Sequence, residues 1–522
     1  MRKNNIIRGI ASLFFSQIII KCFGLIYKLY LANKNGFGDM GNAIYNSGYQ
    51  IYALLLTVSS IGVPNVISKF VAENIKNKNK IEEIMKNAFF LFFIIGVLAS
   101  TMLAILSSSI ATQLLNIPEA RYSIIALSPA IFNVCIISVI RGYFNGIGRI
   151  ETTAKSQSIE QILKTIFTFV FVELSYITTT ANTTIMASWA NFATTVATFG
   201  SFLYLFKKMK MGKLHGKIRK KILLSIFFMS IPVSLSAILA ALNRNIDSIT
   251  IVKYLTKYIE EDIAKKQYGN FSGKVDVIAS VPISFVIAIA TTIIPAVASQ
   301  KGNIEELKKI VTKYIEYVSA LIFPCSLFLF MFSDELLNLL FSSPNGSLLL
   351  RISAISLIFI AGEQIVNAVL HGIGKIYVPA ISLFIGVVIK TLLNIYFLNL
   401  PPNQYWFAGI VGCVIATCIC HFVAFAIVFF VLVKKIKIKL KILKFLLKPI
   451  IASCIMTMTL KYVYFLFKGI IIEKIAIILA GLVAMIIYII LIFVFGVIRI
   501  QVFGLQKFGN ITKKCGKKKD FV

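Results

Sequence analysis

The sequence predicts an all-α membrane protein of about 14 transmembrane helices, built as two pseudo-symmetric six-helix lobes plus two C-terminal helices. Three observations predict it. Of 522 residues, 58% are hydrophobic and 14% charged, with mean hydropathy +0.85; a soluble chain of this size carries roughly a quarter charged residues. Apolar runs of about 20 residues, enough to cross a bilayer at 1.5 Å per residue, recur along the whole length. The stretch GIGRIETTAKSQSIEQILKT (146–165) returns as GIGKIYVPAISLFIGVVIKT (372–391). Both open on Gly-Ile-Gly-basic-Ile and end on Lys-Thr, and Ser156 and Ser382 keep the offset that separates Gly146 from Gly372. A constant offset of this kind marks an internal duplication.

The first element spans about 8–32. Its apolar run follows a basic N-terminus, is broken by Lys21 and Lys28 and lacks an A-x-A-like exit, which marks a membrane helix and not a cleaved signal. Segments at 43–71, 87–110, 122–147, 153–176 and 184–206 complete the first six. The second six lie at 221–245, 276–299, 314–333, 348–372, 376–399 and 406–433, and two more follow at 445–467 and 475–499. The corresponding units are 1–215, 216–440 and 441–522, the last ending in a basic tail. Pro64, Pro129, Pro232, Pro295, Pro324 and Pro379 fall within or at the ends of these runs, so kinked helices are expected, as membrane bundles tolerate them. Beyond the opening pair, Pro64 is expected to correspond to Pro295, and Ile81-Glu82-Glu83 to Ile304-Glu305-Glu306. Six helices per half is an even number, so the halves run parallel about an axis along the membrane normal. Transporters built this way place the substrate between the halves.

The formal net charge of +33 is that of a nucleic-acid binder, but its distribution excludes one. The basic residues cluster in short loops on one side: Lys76, Lys78, Lys80 and Lys86, then Lys207 to Lys221, then Lys434 to Lys444, then Lys513 to Lys519. Loops on the other side, such as SYITTTANTT and NLPPNQYW, hold almost no charge. That alternation predicts a multi-pass cell-membrane protein with cytoplasmic N- and C-termini, its basic loops against anionic phospholipid. One mixed outer loop, VKYLTKYIEEDIAKKQYGNFSGK, is long enough to hold a surface helix. The eight cysteines lie almost all in apolar segments, and Cys418-x-Cys420 has neither the spacing nor the partners of a metal site. No Gly-x-x-x-x-Gly-Lys-Ser/Thr loop, G-x-S-x-G elbow or His-Glu-x-x-His motif occurs. The expectation is a transporter, not an enzyme, without cofactor or metal.

A lysine near the bilayer centre costs about 2.5–3.5 kcal/mol on insertion scales. Lys21 and Lys28 in the first segment, Lys164 in the fifth and Lys390 in the eleventh all incur it, and Lys28 is short enough of the centre to snorkel. A hydrated central cavity is the expected reason, with the duplicated Lys164 and Lys390 facing one another across it. Glu160, four residues before Lys164, is expected to pair with it on one helix face. Glu363, Asn367 and His371, also four apart, form one polar stripe, and Asn46 and Gln50 another. Arg141, Arg244 and Asp247 lie near segment ends and are expected to anchor at the interface. A lysine-lined cavity calls for an anionic cargo, and hydroxyl, amide and aromatic neighbours suit sugars. Both needs meet in a lipid-linked oligosaccharide pyrophosphate.

KCFGLIYKLYLA, YQIYALLLTVSSIGVPNVISKFVAE and RGYFNGIGRIETTAKSQSIEQILK resemble the stage V sporulation protein B family, within the polysaccharide-exporter branch of the multidrug/oligosaccharidyl-lipid/polysaccharide flippase superfamily. The resemblance spans essentially the whole chain. It implies two six-helix lobes, two extra C-terminal helices and a role in spore cortex peptidoglycan synthesis. It also implies kinship with lipid II flippases, which set arginines from helices one, two and eight around a central cavity. Here Lys21 stands at a helix-one arginine position, while helices two and eight offer Tyr45, Asn46, Gln50, Ser280 and Ser284. Lys164 and Lys390 are expected to supply the missing charge.

Three functions follow. The first is a flippase for an undecaprenyl-pyrophosphate-linked wall precursor, working by alternating access. The second is a cation-coupled multidrug exporter, which usually needs a carboxylate in its first lobe; the first two segments hold none before Glu73 except at the loop residue Asp39. The third is a non-transporting scaffold that recruits cell-wall synthesis enzymes through the basic loops.

Overall fold

The computed structural model describes residues 3–57, 62–209, 216–298, 304–375, 377–402, 404–436, 442–470 and 472–497. The expected basic tail (Lys513 to Lys519), Lys210, Lys213, Lys437, Lys439, Lys441 and Cys515 lie outside them. The described residues form helices α1 (Lys3–Asn33), α2 (Gly38–Thr57), α3 (Val63–Glu73), α4 (Lys78–Ser109), α5 (Ala120–Gly146), α6 (Ile150–Thr178) and α7 (Thr183–Lys208). Next come α8 (Lys220–Leu255), α9 (Glu261–Asn270), α10 (Asp276–Ala298), α11 (Ile304–Met331), α12 (Ser333–Phe341) and α13 (Ser347–Gly372). The chain continues through α14 (Tyr377–Leu398), α15 (Ile410–Ile436), α16 (Ile442–Lys468) and α17 (Glu473–Val494). Two π-helical turns, Ile110–Leu114 and Phe271–Val275, extend α4 and join α9 to α10.

Among the described residues, ten helical stretches are long and apolar enough to cross a membrane, so the expected count of fourteen is not reproduced on that measure. The expected first, second, sixth and seventh segments, which correspond to α1, α2 with α3, α7 and α8, fall outside those ten. The second segment is described as α2 and α3, with Pro64 in the first turn of α3, where its missing N–H costs nothing. The expected outer-loop helix exists as α9, but one side is not at the surface: Ala264, Lys265, Tyr268 and Gly269 are buried. Several helices outrun their apolar cores because polar residues extend them. Asn77 caps α4 and Asn182 caps α7, each accepting a backbone N–H in the first turn, which satisfies a donor the helix itself leaves open. Outward faces are apolar, with Leu98, Met102 and Ile105 on α4 and Met458, Tyr462 and Phe465 on α16 exposed. A patch of this extent is what lipid covers.

The duplication is visible in packing. In the first half α6 packs on α1 and α7, and α5 packs on α3, α4 and α7; in the second, α14 packs on α8 and α15, and α13 packs on α10, α11 and α15. The shared Gly-Ile-Gly ends α5 and α13 in the same way. Arg149 N donates to Phe144 O and Lys375 N to Leu370 O, both at 2.8 Å. Gly148 and Gly374 hold φ of 79° and 86°, a left-handed turn that other residues enter only with strain. At the ends of the two helices, a methyl added to Gly146 would lie 2.6 Å from Val71 Cβ, and one on Gly372 2.7 Å from Val297 Cγ1. Val71 and Val297 are themselves separated by the offset of the repeat. That register corrects one expectation: Pro64 corresponds to Ala290, not to Pro295, because the glycine contacts fix how far α3 and α10 slide along α5 and α13. α16 and α17 pack on each other, and α16 lies against α11.

The unit boundary expected at 215/216 falls at the edge of an undescribed stretch, and that at 440/441 within another. The halves meet where α1 ends and α2 begins. Lys274 pairs with Asp39 at 2.8 Å, Lys265 with Glu119 at 2.7 Å, and Asn46 Nδ2 donates to Ser272 Oγ at 3.3 Å. Gly269 and Gly273 come so close to Asp39 and Asn42 that no side chain fits between them.

Candidate functional site

Between the halves, α1, α2, α6 and α10 line an open cavity of about 230 Å³. Its polar wall is Lys21, Tyr27 and Lys28 from α1, Tyr49 from α2, Gln161 from α6 and Ser280 from α10. Lys21 and Lys28 stand two helical turns apart, roughly 10 Å along the axis at 1.5 Å per residue. Arg244 of α8, which is exposed, and Asp276 lie close enough for their charges to act on both lysines. Three of these four charges are positive, so the cavity favours an anion.

Lys164 is buried one layer behind this wall. Its Nζ lies 4.0 Å from the ring centre of Tyr49, 5.0 Å from Tyr27 and 6.0 Å from Tyr45, cation–π contacts of about 0.5–2 kcal/mol each when desolvated. Glu160 does not pair with it as expected. Glu160 instead accepts from Arg141 Nη2 at 2.8 Å, while Arg141 also donates to Ser156 (3.0 Å) and Ser201 (3.3 Å). Residues four apart on a helix are not quite in line, and here Glu160 turns to α5 while Lys164 turns to the tyrosines of α1 and α2. Arg141 is therefore a buried tie among α5, α6 and α7, not an interfacial anchor.

Lys390 does not face Lys164 across the cavity. Its side chain is 1% exposed, and its Nζ lies 2.6 Å from Asp247 Oδ2 and 2.8 Å from the Asn243 carbonyl, both on α8. Asp247, expected at the interface, is buried and also accepts from Asn394 Nδ2 at 2.9 Å. The reason is the duplication itself. Asp247 follows Lys21 by the offset of the repeat, so the second lobe neutralises its lysine where the first lobe adds another. Helix register supports the equivalence: Glu173 of α6 takes Tyr30 of α1 and Lys34 just past its end, and Asn399, its counterpart in the repeat, takes Lys257 and Tyr258 from just past the end of α8.

The two polar stripes also differ from a cavity lining. Asn46 bonds Ser272 across the halves, and the Gln50 carbonyl accepts from Asn245 Nδ2 at 3.1 Å. Glu363 is buried inside the second lobe, where it accepts from Asn367 at 3.3 Å and meets His421 Nδ1 at 2.7 Å. His371 is half-buried, and its Nε2 has no partner among the described residues. Sequence reasoning placed Lys21 and Lys28 at this cavity but passed over Tyr27 and His421. A lone histidine in the apolar run CICHFVAF was a signal available for the latter.

The helical bundle and its paired lobes share their fold with solved transporters of the MOP superfamily. The family model for polysaccharide biosynthesis protein matches residues 6–301; the chain belongs to that family. A second model, MatE, matches residues 270–396, within the second lobe. Among curated relatives, the lipid II flippase MurJ of Bacillus subtilis (strain 168) is 24% identical over 462 residues, covering 83% of each chain. Stage V sporulation protein B of the same organism is 24% identical over 441 residues, covering 80% of this chain and 81% of its own. The solved lipid II flippase MurJ in an inward closed conformation superposes with TM-score 0.71 at 15% identity, covering 94% of this chain and 98% of that one.

Proposed function

We propose that the chain is a flippase that carries a lipid-linked, undecaprenyl-pyrophosphate-type peptidoglycan or polysaccharide precursor across the cell membrane by alternating access, in spore cortex synthesis. The observation that carries it is the cavity between the halves, walled by Lys21 and Lys28 with Arg244 near and Lys164 behind. Residues 1–215 and 216–440 act as the two moving lobes, with 441–522 as an appendage. The likeness to a lipid II flippase and a sporulation protein supports the reading. So does an apolar groove of about 450 Å³ between α11, α16 and α17, lined by Pro324, Met456, Leu460 and Leu482, which suits a polyprenyl tail. At about 230 Å³, the central cavity suits a phosphate-sized group and must widen for a disaccharide. The end where Lys265 meets Glu119 and Lys274 meets Asp39 is then the closed outer gate, and the termini are cytoplasmic.

The test is a reconstituted assay. Wild-type protein in liposomes binds and translocates a fluorescent polyprenyl-pyrophosphate saccharide, and Lys21→Ala with Lys28→Ala loses both. Translocation unchanged in the double variant, or absent in the wild type, overturns the reading.

A further inference from the structure

In the first lobe, α4 and α7 both pack on α5 and hardly on each other. The gap they leave is a groove of about 380 Å³, walled by Phe89 and Phe93 of α4, Phe132 of α5, and Phe199, Phe202 and Phe206 of α7. Spacings of three and four residues put each set of rings on one helix face. Asn133, the polar residue of the wall, commits its amide nitrogen to Thr198 Oγ1 at 3.2 Å. The second lobe is packed differently at this place. Gly362 of α13 follows Ile136 of α5 by the offset of the repeat, and a methyl on it would lie 2.7 Å from the ring of Phe425 on α15. In the first lobe Ile136 lines the groove instead, and Phe199 and Phe206 stay exposed.

The length and the two ends of the groove select an occupant. From Phe199 to Met209, which also lines it, α7 and its end rise roughly 15 Å at 1.5 Å per residue. That is half of a hydrocarbon core about 30 Å thick. At the deep end Phe93 and Phe132 meet edge to face, their ring centres 5.4 Å apart. At the shallow end stand Lys207 and Lys208, exposed in the last turn of α7, and Lys86, one turn before Phe89 on α4. Among the described residues these three lysines form no ion pair. Glu83, one turn before Lys86, is held by Lys80 at 2.9 Å and Arg219 at 2.6 Å. Lys86 Nζ donates to a neutral acceptor, the Gly216 carbonyl, at 2.9 Å. A polyprenyl tail outruns a groove of one leaflet's depth, and a zwitterionic headgroup leaves the lysines without a net counter-charge. A single acyl chain below an anionic phosphate matches both ends.

We propose that this groove is a binding site for an anionic phospholipid, one acyl chain lying along the phenylalanines and the phosphate on Lys86, Lys207 and Lys208. Each lysine near such a headgroup adds its own attraction. Assigning the lipid to the cytoplasmic leaflet rests on the orientation proposed above; the groove and its charged mouth do not. The site borders the segment that joins the lobes, because Asn87, beside Lys86, donates to the Lys217 carbonyl at 3.0 Å and accepts from Arg219 N at 2.7 Å.

The experiment uses the full chain in phosphatidylcholine nanodiscs with no saccharide lipid, and a phosphatidylglycerol carrying a photoreactive diazirine at mid-chain. After irradiation, peptide mass spectrometry is expected to find the label within 89–93, 132–136 and 199–209. Excess unlabelled phosphatidylglycerol removes that label, and excess phosphatidylcholine does not. The Lys86→Gln, Lys207→Gln, Lys208→Gln triple variant, altered only at the mouth, loses at least about 10-fold in labelling with an unchanged melt. No label in these segments, or equal labelling by a phosphatidylcholine probe, overturns the proposal. So does label displaced by undecaprenyl phosphate and not by phosphatidylglycerol, which makes the groove a seat for the substrate's tail. The wild-type competition stands even if the variant fails to fold. A chain that takes the label but moves no saccharide lipid defeats the proposed function and leaves this site intact; the reverse result defeats this site alone.

Discussion

Lys390 and Asp247 would each be costly to bury alone, and together they cost little. Removing one partner of such a pair typically costs about 3–5 kcal/mol, roughly what an uncompensated buried charge is worth, whereas replacing both is far milder. Lys390→Met and Asp247→Asn singly are therefore expected to lower the thermal unfolding midpoint sharply, and the double variant to recover most of the loss, as read by a scanning fluorescence melt. Lys21 and Lys28 behave differently because both line open space. In the proposed complex each would give a phosphate oxygen a charge-assisted hydrogen bond of about 1.5–3 kcal/mol, so Lys21→Ala or Lys28→Ala is expected to weaken polyprenyl-pyrophosphate binding about 10- to 100-fold with the melt unchanged. That split between stability and binding separates a lysine that neutralises the core from one that meets a ligand.

Among the elements, the paired glycines carry the repeat. α5 and α13 approach α3 and α10 so closely that Gly146 and Gly372 face Val71 and Val297 with no room for a methyl. Overpacking of this kind costs about 1–3 kcal/mol. Gly146→Ala and Gly372→Ala are expected to destabilise by similar amounts, measured as equal shifts in the melt, because the two crossings share one geometry. Unequal shifts would mean that the lobes have diverged at this contact. α9, which the same offset pairs with the start of α2, is wedged against α2 at Gly269 and Gly273, with Lys265 clamped between Glu119 and Glu261.

For the whole molecule, that wedge joins the halves at one end while the cavity lies between them. If the lobes rock, the ion pairs Lys265–Glu119 and Lys274–Asp39 must part in each cycle. A bifunctional thiol reagent applied to a Glu119→Cys, Lys265→Cys chain is expected to reduce saccharide-lipid translocation to background while leaving binding measurable, and a cleavable linker to restore it. Translocation that persists after complete cross-linking would show that this end does not open.

Much of this was legible in the sequence. Apolar run length, loop charge and the constant offset between the halves are local or one-dimensional signals, and they determined the helical class, the duplication and the presence of lysines in apolar surroundings. They also put Lys21 and Lys28 on one helix, where spacing alone brings them to one region. What each charge faces is a matter of which helix packs beside it, and only the tertiary structure decided that. Lys164 and Lys390 look alike along the chain, yet one packs on tyrosines and the other on Asp247. Pairing energies fall steeply with distance and dielectric, and the neighbour that sets both comes from a helix far away along the chain.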